Sequence, residues 1–186
     1  MSDYFVAFHR TEPVHLVIVE EFMGRRAELL AARIEEGANG LAAFAEGLSE
    51  AEWKAPGSSG GNDRRPVGVI IHHVASVYPI EVDLAKTIGS GKAVAEVTWD
   101  AVAELNAKHA KEQAATSKSA TLELLRKNSR EAAAVVRAFT DEQLDTAAPF
   151  GLSYNAPVTA QFVIEDHAVR HSWHHLAKIR KALLSD

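Results

Sequence analysis

Histidine is the residue type in this chain whose number and spacing are best suited to chemistry. There are nine histidines among 186 residues, and six of them fall into two clusters, His72–His73 and His167–His171–His174–His175. Neutral imidazole is a preferred ligand for zinc, nickel and iron. The chain has no cysteine, so it can hold a metal ion only through nitrogen and oxygen atoms.

His171 and His175 are four residues apart, so a helix would place them on the same face. The other positions of that stripe are apolar and comprise Ile164, Ala168, Ile179 and Ala182. We therefore expect both rings to point into a core. His167 and His174 fall on a neighbouring polar face and are expected to be solvated. His167 is also four residues from His171, which makes it the alternative metal ligand.

His73 occupies the same kind of position on an earlier helix, because it shares an apolar stripe with Ile70 and Val77. A buried polar group without a partner costs about 1–3 kcal/mol. One divalent metal ion (Zn, Ni or Fe) shared by His73, His171 and His175 would satisfy all three rings. It would also keep a coordination position open for water or substrate. The alternative is a hydrogen-bonded cluster of core histidines without metal.

Periodic apolar spacing predicts the helices that would hold these rings. The first ends near Leu48 and has no clear start, although Thr11 to Pro13 is a plausible opening. The second runs from about 66 to 88 and should be kinked at Pro79. The third region has two parts, of which 99–115 is capped by Thr98 and 120–139 by Ser119. The last helix spans about 158–184.

Long helices joined by short loops, with almost no alternating apolar segments, predict an all-α fold. We expect an up-down antiparallel four-helix bundle in which residues 1–186 form a single domain. The formal net charge of −5 disfavours a nucleic-acid partner. No signal peptide is evident, and we expect no apolar run to approach the ~20 residues of a membrane helix. The expected location is the cytoplasm.

Three segments of this sequence resemble the DinB-like superfamily, in particular its YfiT-type branch of metal-dependent hydrolases and thiol transferases. They are 69–76 around the first histidine cluster, 170–179 around the second, and 99–107 between them. The resemblance covers about residues 20–184. It implies a four-helix bundle and a metal ion held by His73, His171 and His175, the same three residues that the helical stripes select.

The resemblance also implies a reaction on a small-molecule substrate. Relatives use low-molecular-weight thiols as cosubstrates, and a bound metal would turn such a thiol into a thiolate, or would activate water for hydrolysis. Glu81, at the edge of the His73 stripe, is the candidate for a catalytic role, either by orienting a metal ligand or as a general base. Asn106, on the polar face of the third region, is the candidate for substrate binding.

Two other functions remain open. One is a non-catalytic bundle that binds a metal or ligand in a structural or sensor role, for which a fourth protein ligand such as His167 is expected. The other is a metal-free helical domain that serves oligomerisation. A homodimer is compatible with each of these functions.

Overall fold

The computed structural model describes residues 25–58 and 64–184. Its α-helices are α1 (Arg25–Glu46), α2 (Glu50–Lys54), α3 (Val67–Gly89), α4 (Trp99–Glu112), α5 (Lys118–Arg137), α6 (Asp141–Asp145), α7 (Ala160–Val163) and α8 (Arg170–Leu183). A π-helical turn, Ile164–Val169, joins α7 to α8. Two short strands, β1 (Ala147–Pro149) and β2 (Pro157–Thr159), pair antiparallel and flank a single 3-10 turn, Gly151–Ser153.

The helix starts follow from local capping. The Thr98 side chain accepts a hydrogen bond from the backbone N–H of Ala101 at 3.2 Å, which confirms the predicted start of α4. The predicted cap at Ser119 is wrong, because Ser117 caps α5 in the same way and the helix starts two residues earlier, at Lys118. The proposed opening of the first helix at Thr11 lies outside the described residues.

The four-helix bundle is formed by α1, α3, α5 and the continuous segment from α7 to α8. α5 packs against both α1 and α3, and the last segment packs against α1 and α3. α3 has 23 residues and is long and apolar enough by composition to cross a membrane, which corrects the expectation that no such run exists. Most of its residues are buried among the other helices, as in the core helix of a soluble protein. It runs through Pro79 as one helix.

The last segment departs from the predicted regular α-helix. Six residues form a π-helical turn that ends at Val169, two residues before His171. A π turn takes more residues per turn than an α-helix, and such turns occur frequently at functional sites. The pair of short strands before it is a second departure, because no sheet was expected. Its six residues show too little apolar alternation to predict strands.

Close packing of α1 against α8 depends on a glycine. A Cβ added at Gly37 would lie 2.9 Å from Nε1 of Trp173 and 3.3 Å from Cβ of Ser172. At Gly40 the nearest atom would be at 3.8 Å, an ordinary contact distance. Gly37 therefore lets the helix that holds two of the histidines approach α1 closely.

Candidate metal centre

Three histidine rings meet at the interface between α3 and α8. His73, His171 and His175 each offer one nitrogen, and the three nitrogens all lie within 4.8 Å of one another. The ring centroids are separated by 5.1 Å for His73–His171, 4.8 Å for His171–His175 and 5.7 Å for His73–His175. The structure thus brings together the three residues that the helical stripes select.

The bundle core fixes the two helices that provide these rings. Tyr78 and Ser172 are both fully buried, and their hydroxyl groups share a hydrogen bond of 2.6 Å between α3 and α8. Ser172 is next to His171 in the chain, so this bond sets the spacing of the two helices beside the cluster. His171 and His175 are one helical turn apart on α8.

Glu81 makes the most direct contact with the cluster. Its side chain is 5% exposed, and its Oε1 is hydrogen-bonded to Nδ1 of His171. A carboxylate in this position holds the proton of His171 on Nδ1 and leaves Nε2 available as a ligand. The other oxygen, Oε2, has no hydrogen-bond partner among the residues that the structure describes. This contact suits the first of the two roles considered for Glu81, that of orienting a ligand, and the role of general base stays a prediction.

The protonation state of His175 suits a ligand. Burial lowers its pKa to about 2, and the neighbouring rings of His171 and His73 act in the same direction. The imidazole is therefore neutral at physiological pH and keeps a lone pair. A buried neutral histidine, a second whose Nδ1 is fixed by a carboxylate, and a third within reach of both form a donor set that fits zinc, nickel or iron.

The remaining histidines near the cluster lie outside it. His167, the alternative ligand, is mostly buried rather than solvated as expected, because its ring packs against Phe150 at a centroid distance of 5.5 Å. His174 is exposed, as expected. His72 lies on the polar face of its helix, which predicts a solvated ring, yet it is half-buried because its Nδ1 lies 2.9 Å from Nε2 of His109 on α4. Helical phase on α3 alone could not reveal this partner from another helix.

A cavity of about 460 Å³ opens onto the three histidines. α3 and α4 form two of its walls, and Asn106 is among the residues that line it. Arg65, Glu96, Asp166 and Arg170 contribute charged groups to the lining. A cavity of this size is typical of a small-molecule site.

Sequence reasoning did not identify two parts of this cavity. Arg65 comes just before α3 and lies close enough to the ring of His175 to lower its pKa further. Leu152 comes from the turn between the two strands, and its carbonyl oxygen accepts a hydrogen bond of 3.1 Å from Nε1 of Trp99. Both residues lie in irregular segments, where apolar periodicity carries no signal. The Arg65-Pro66 pair marks the end of a loop directly before the His73 helix, and this was the one sequence signal that placed Arg65 near the cavity.

Comparison with known proteins agrees with this description. A solved structure with the same fold is that of YfiT from Bacillus subtilis, described as a probable metal-dependent hydrolase with an unusual four-helix bundle topology. The two chains have 22% sequence identity and a TM-score of 0.65, over 84% of this chain and 85% of that one. The search of curated proteins finds no significant match. The family model of the DinB superfamily matches residues 33–179, a range that includes both histidine clusters, and the chain therefore belongs to the DinB superfamily.

Proposed function

We propose that the protein is a metal-dependent enzyme that acts on a small molecule, with one divalent ion held by His73, His171 and His175. The observation that carries this proposal is the convergence of three imidazole nitrogens within 4.8 Å at the wall of an open cavity. The membership in the DinB superfamily supports it. A cytoplasmic location and a small-molecule partner are part of the same proposal.

The number of ligands favours an enzyme over a structural metal site. Structural zinc sites are closed by four protein ligands, whereas catalytic sites have three and keep one position open. A non-catalytic site was expected to recruit His167 as a fourth ligand. Within the described residues, the group of potential ligands comprises the three histidines without His167. The cavity lies on the open side, where a substrate would reach the ion.

Hydrolysis is the reaction that this site supports best. When bound, the ion would supply Lewis acidity and lower the pKa of a nucleophile that it holds, water included. The chain contributes the rest: Glu81 orients His171, and the core fixes the separation of α3 from α8. Because its Oε1 is engaged with His171, Glu81 acts as a positioning residue, and no carboxylate acting as a general base is part of the proposal.

Thiol transfer is the second candidate, and one observation favours it. The chain has no cysteine, so a thiol nucleophile would have to arrive with a cosubstrate. Glutathione and bacillithiol, two such thiols, carry both carboxylate and amino groups. The cavity lining includes Arg65 and Arg170 together with Glu96, charges of both signs that such a molecule could pair with.

Metal content tests the proposed ligands. Freshly purified protein should contain close to one equivalent of divalent metal by elemental analysis, and His171→Ala should lose it. His72→Ala is the matched control, because His72 precedes a proposed ligand but is engaged with His109 instead. Its metal content should be unchanged. Protein that contains no metal and takes up none from solution would overturn the proposal.

Two assays on the metal-loaded protein separate the reactions. One follows hydrolysis of a panel of esters and amides, and the other follows consumption of glutathione, bacillithiol or mycothiol with a model electrophile. The His171→Ala variant provides the background rate in both. Turnover in the first assay supports hydrolysis, and turnover confined to the second supports thiol transfer. The absence of turnover in both by a metal-loaded protein would favour the non-catalytic binding bundle.

A further inference from the structure

We propose that the substrate carries a neutral apolar group, aliphatic or aryl, that lies between α3 and α4 against Ile80, Trp99 and Leu105. The placement of the reacting end beside the histidines rests on the proposed function. The apolar subsite itself rests on the walls of the cavity and can be tested without a metal ion.

The first observation is that none of the residues that the structure describes covers the apolar face of α4. None of its 14 residues is buried, although Trp99, Val102 and Leu105 recur at helical spacing on one side. All three line the cavity. An amphipathic helix of a globular protein normally buries its apolar stripe against the core. Here the stripe faces an open space.

The second observation is a group of large apolar side chains exposed to the same cavity. Ile80 of α3 is 47% exposed, Trp99 is 53% exposed and Leu105 is 48% exposed. Singly exposed apolar residues are ordinary, whereas a contiguous group that lines a concave site indicates a ligand. The half-buried side chains of Val77, Leu84, Val102 and Leu152 extend the same wall.

The third observation is the distribution of polar groups along the cavity. On α4, Asn106 is the one lining residue with a polar side chain. On α3, the polar lining residues are His73 and Glu81, which belong to the histidine cluster or contact it. An anionic group placed between the two helices would therefore be desolvated without an opposite charge from either wall, and Glu81, the one carboxylate on these walls, is already engaged with His171. The geometry favours a neutral group there and the polar, reacting end at the histidines.

The wall is formed before any ligand binds. The indole N–H of Trp99 donates to the carbonyl oxygen of Leu152, so the ring presents only apolar surface to the cavity. The loop before α4 is fixed by two hydrogen bonds of 2.8 Å, from Val94 N–H to Pro149 and from Gly151 N–H to Val94. A preformed site binds an apolar group without the cost of ordering its own walls.

A fluorescence titration with N-phenyl-1-naphthylamine, a neutral apolar dye, tests the subsite alone. We expect saturable binding of one dye per chain, with the Kd raised about five- to twenty-fold in Leu105→Ser because roughly two methylene equivalents of contact are lost. Leu29→Ser is the matched control, since Leu29 is 56% exposed on α1 and does not line the cavity.

A second titration links the subsite to the histidines. Straight-chain hydroxamates from acetyl to octanoyl, added to metal-loaded protein, should bind about two- to four-fold more tightly for each added methylene. In Leu105→Ser, the increase in the hydroxamate Kd relative to the native protein should grow with the length of the hydroxamate's alkyl chain. A dye Kd equally affected in Leu105→Ser and Leu29→Ser, or a flat hydroxamate series, would overturn the proposal.

The two titrations test separate claims, the apolar subsite alone and its link to the proposed metal site. If the protein takes up no metal, the proposed function is lost, while the dye result still decides whether the apolar subsite exists. If dye binding disappears as the protein concentration rises and a dimer forms on gel filtration, a second copy covers the α3–α4 surface. That result would replace the substrate as the occupant and overturn the inference.

Discussion

Replacing Glu81 with glutamine should weaken metal binding by about 10–100-fold, or about 1.4–2.7 kcal/mol, if the three histidines hold an ion. The carboxylate fixes the proton of His171 on Nδ1 and increases the basicity of the opposite nitrogen. Glutamine keeps the shape and one oxygen acceptor, but it removes the charge. It also places an NH₂ group where Oε2 has no hydrogen-bond partner among the described residues. Because Glu81 is 5% exposed, water cannot substitute for the lost interaction.

Zinc competition with a chromophoric chelator at pH 7.5 measures this effect directly. Glu123→Gln is the matched control, because Glu123 is exposed on α5, outside the cavity lining, and its variant should bind zinc as the native protein does. Circular dichroism and thermal unfolding of the metal-free proteins show whether either variant alters the fold. A Glu81→Gln variant that is folded and binds zinc with native affinity would refute the positioning role of Glu81.

Two further predictions concern the stability of the metal-free protein. Gly40→Ala should increase the free energy of unfolding in urea by about 0.5–1 kcal/mol through helix propensity. Gly37→Ala should lose that gain or reverse it, because the new methyl group would meet Trp173 and Ser172; equal effects at both sites would contradict the close packing of α1 on α8. Burial lowers the pKa of His167 below its usual 6.5, so its neutral form contributes stability that is present above pH 6.5 and is lost as the pH falls. In EDTA, the free energy of unfolding of His167→Gln should therefore fall less steeply with decreasing pH than that of the native chain, by at most about 1.4 kcal/mol per pH unit below 6.5. The same variant should keep its metal when loaded.

The histidine cluster was predictable because its three members lie on regular helices with clear apolar stripes. His73 is on the same face as Ile70, and His175 is on the same face as Ile179; all four are buried as predicted. Helical phase depends on sequence spacing alone, so it needs no knowledge of how the helices are connected. The same reasoning predicted the four-helix bundle and the start of α4. That residues 1–186 form one domain and that the chain dimerises stay predictions.

The errors arise where a residue's surroundings come from another part of the chain. Phe162 and Trp173 belong to a second apolar stripe of the last helix, and their spacing predicts that they are buried, yet they are 44% and 42% exposed. Phe162 precedes the π-helical turn, which alters the phase that a regular helix would have. Trp173 lies over Gly37 and Gly40 on α1, where its ring covers the helix but stays partly open to solvent. The ring of His72 contacts His109 on α4, and the apolar spacing of α3 gives no information about that contact.

The two halves of the candidate site differ in how strongly the fold constrains them. His73 and His175 are buried on bundle helices, and a change in the spacing of α3 and α8 would disturb core contacts such as Tyr78–Ser172. α4 buries no residue, so replacing Leu105 removes little of the packing that stabilises the bundle. The residues that would bind the metal are thus held by the core, while those that would bind the apolar part of a substrate can vary at little cost to folding. If the proposed function holds, substitutions on α4 would change the preferred substrate and leave the proposed metal ligands in place.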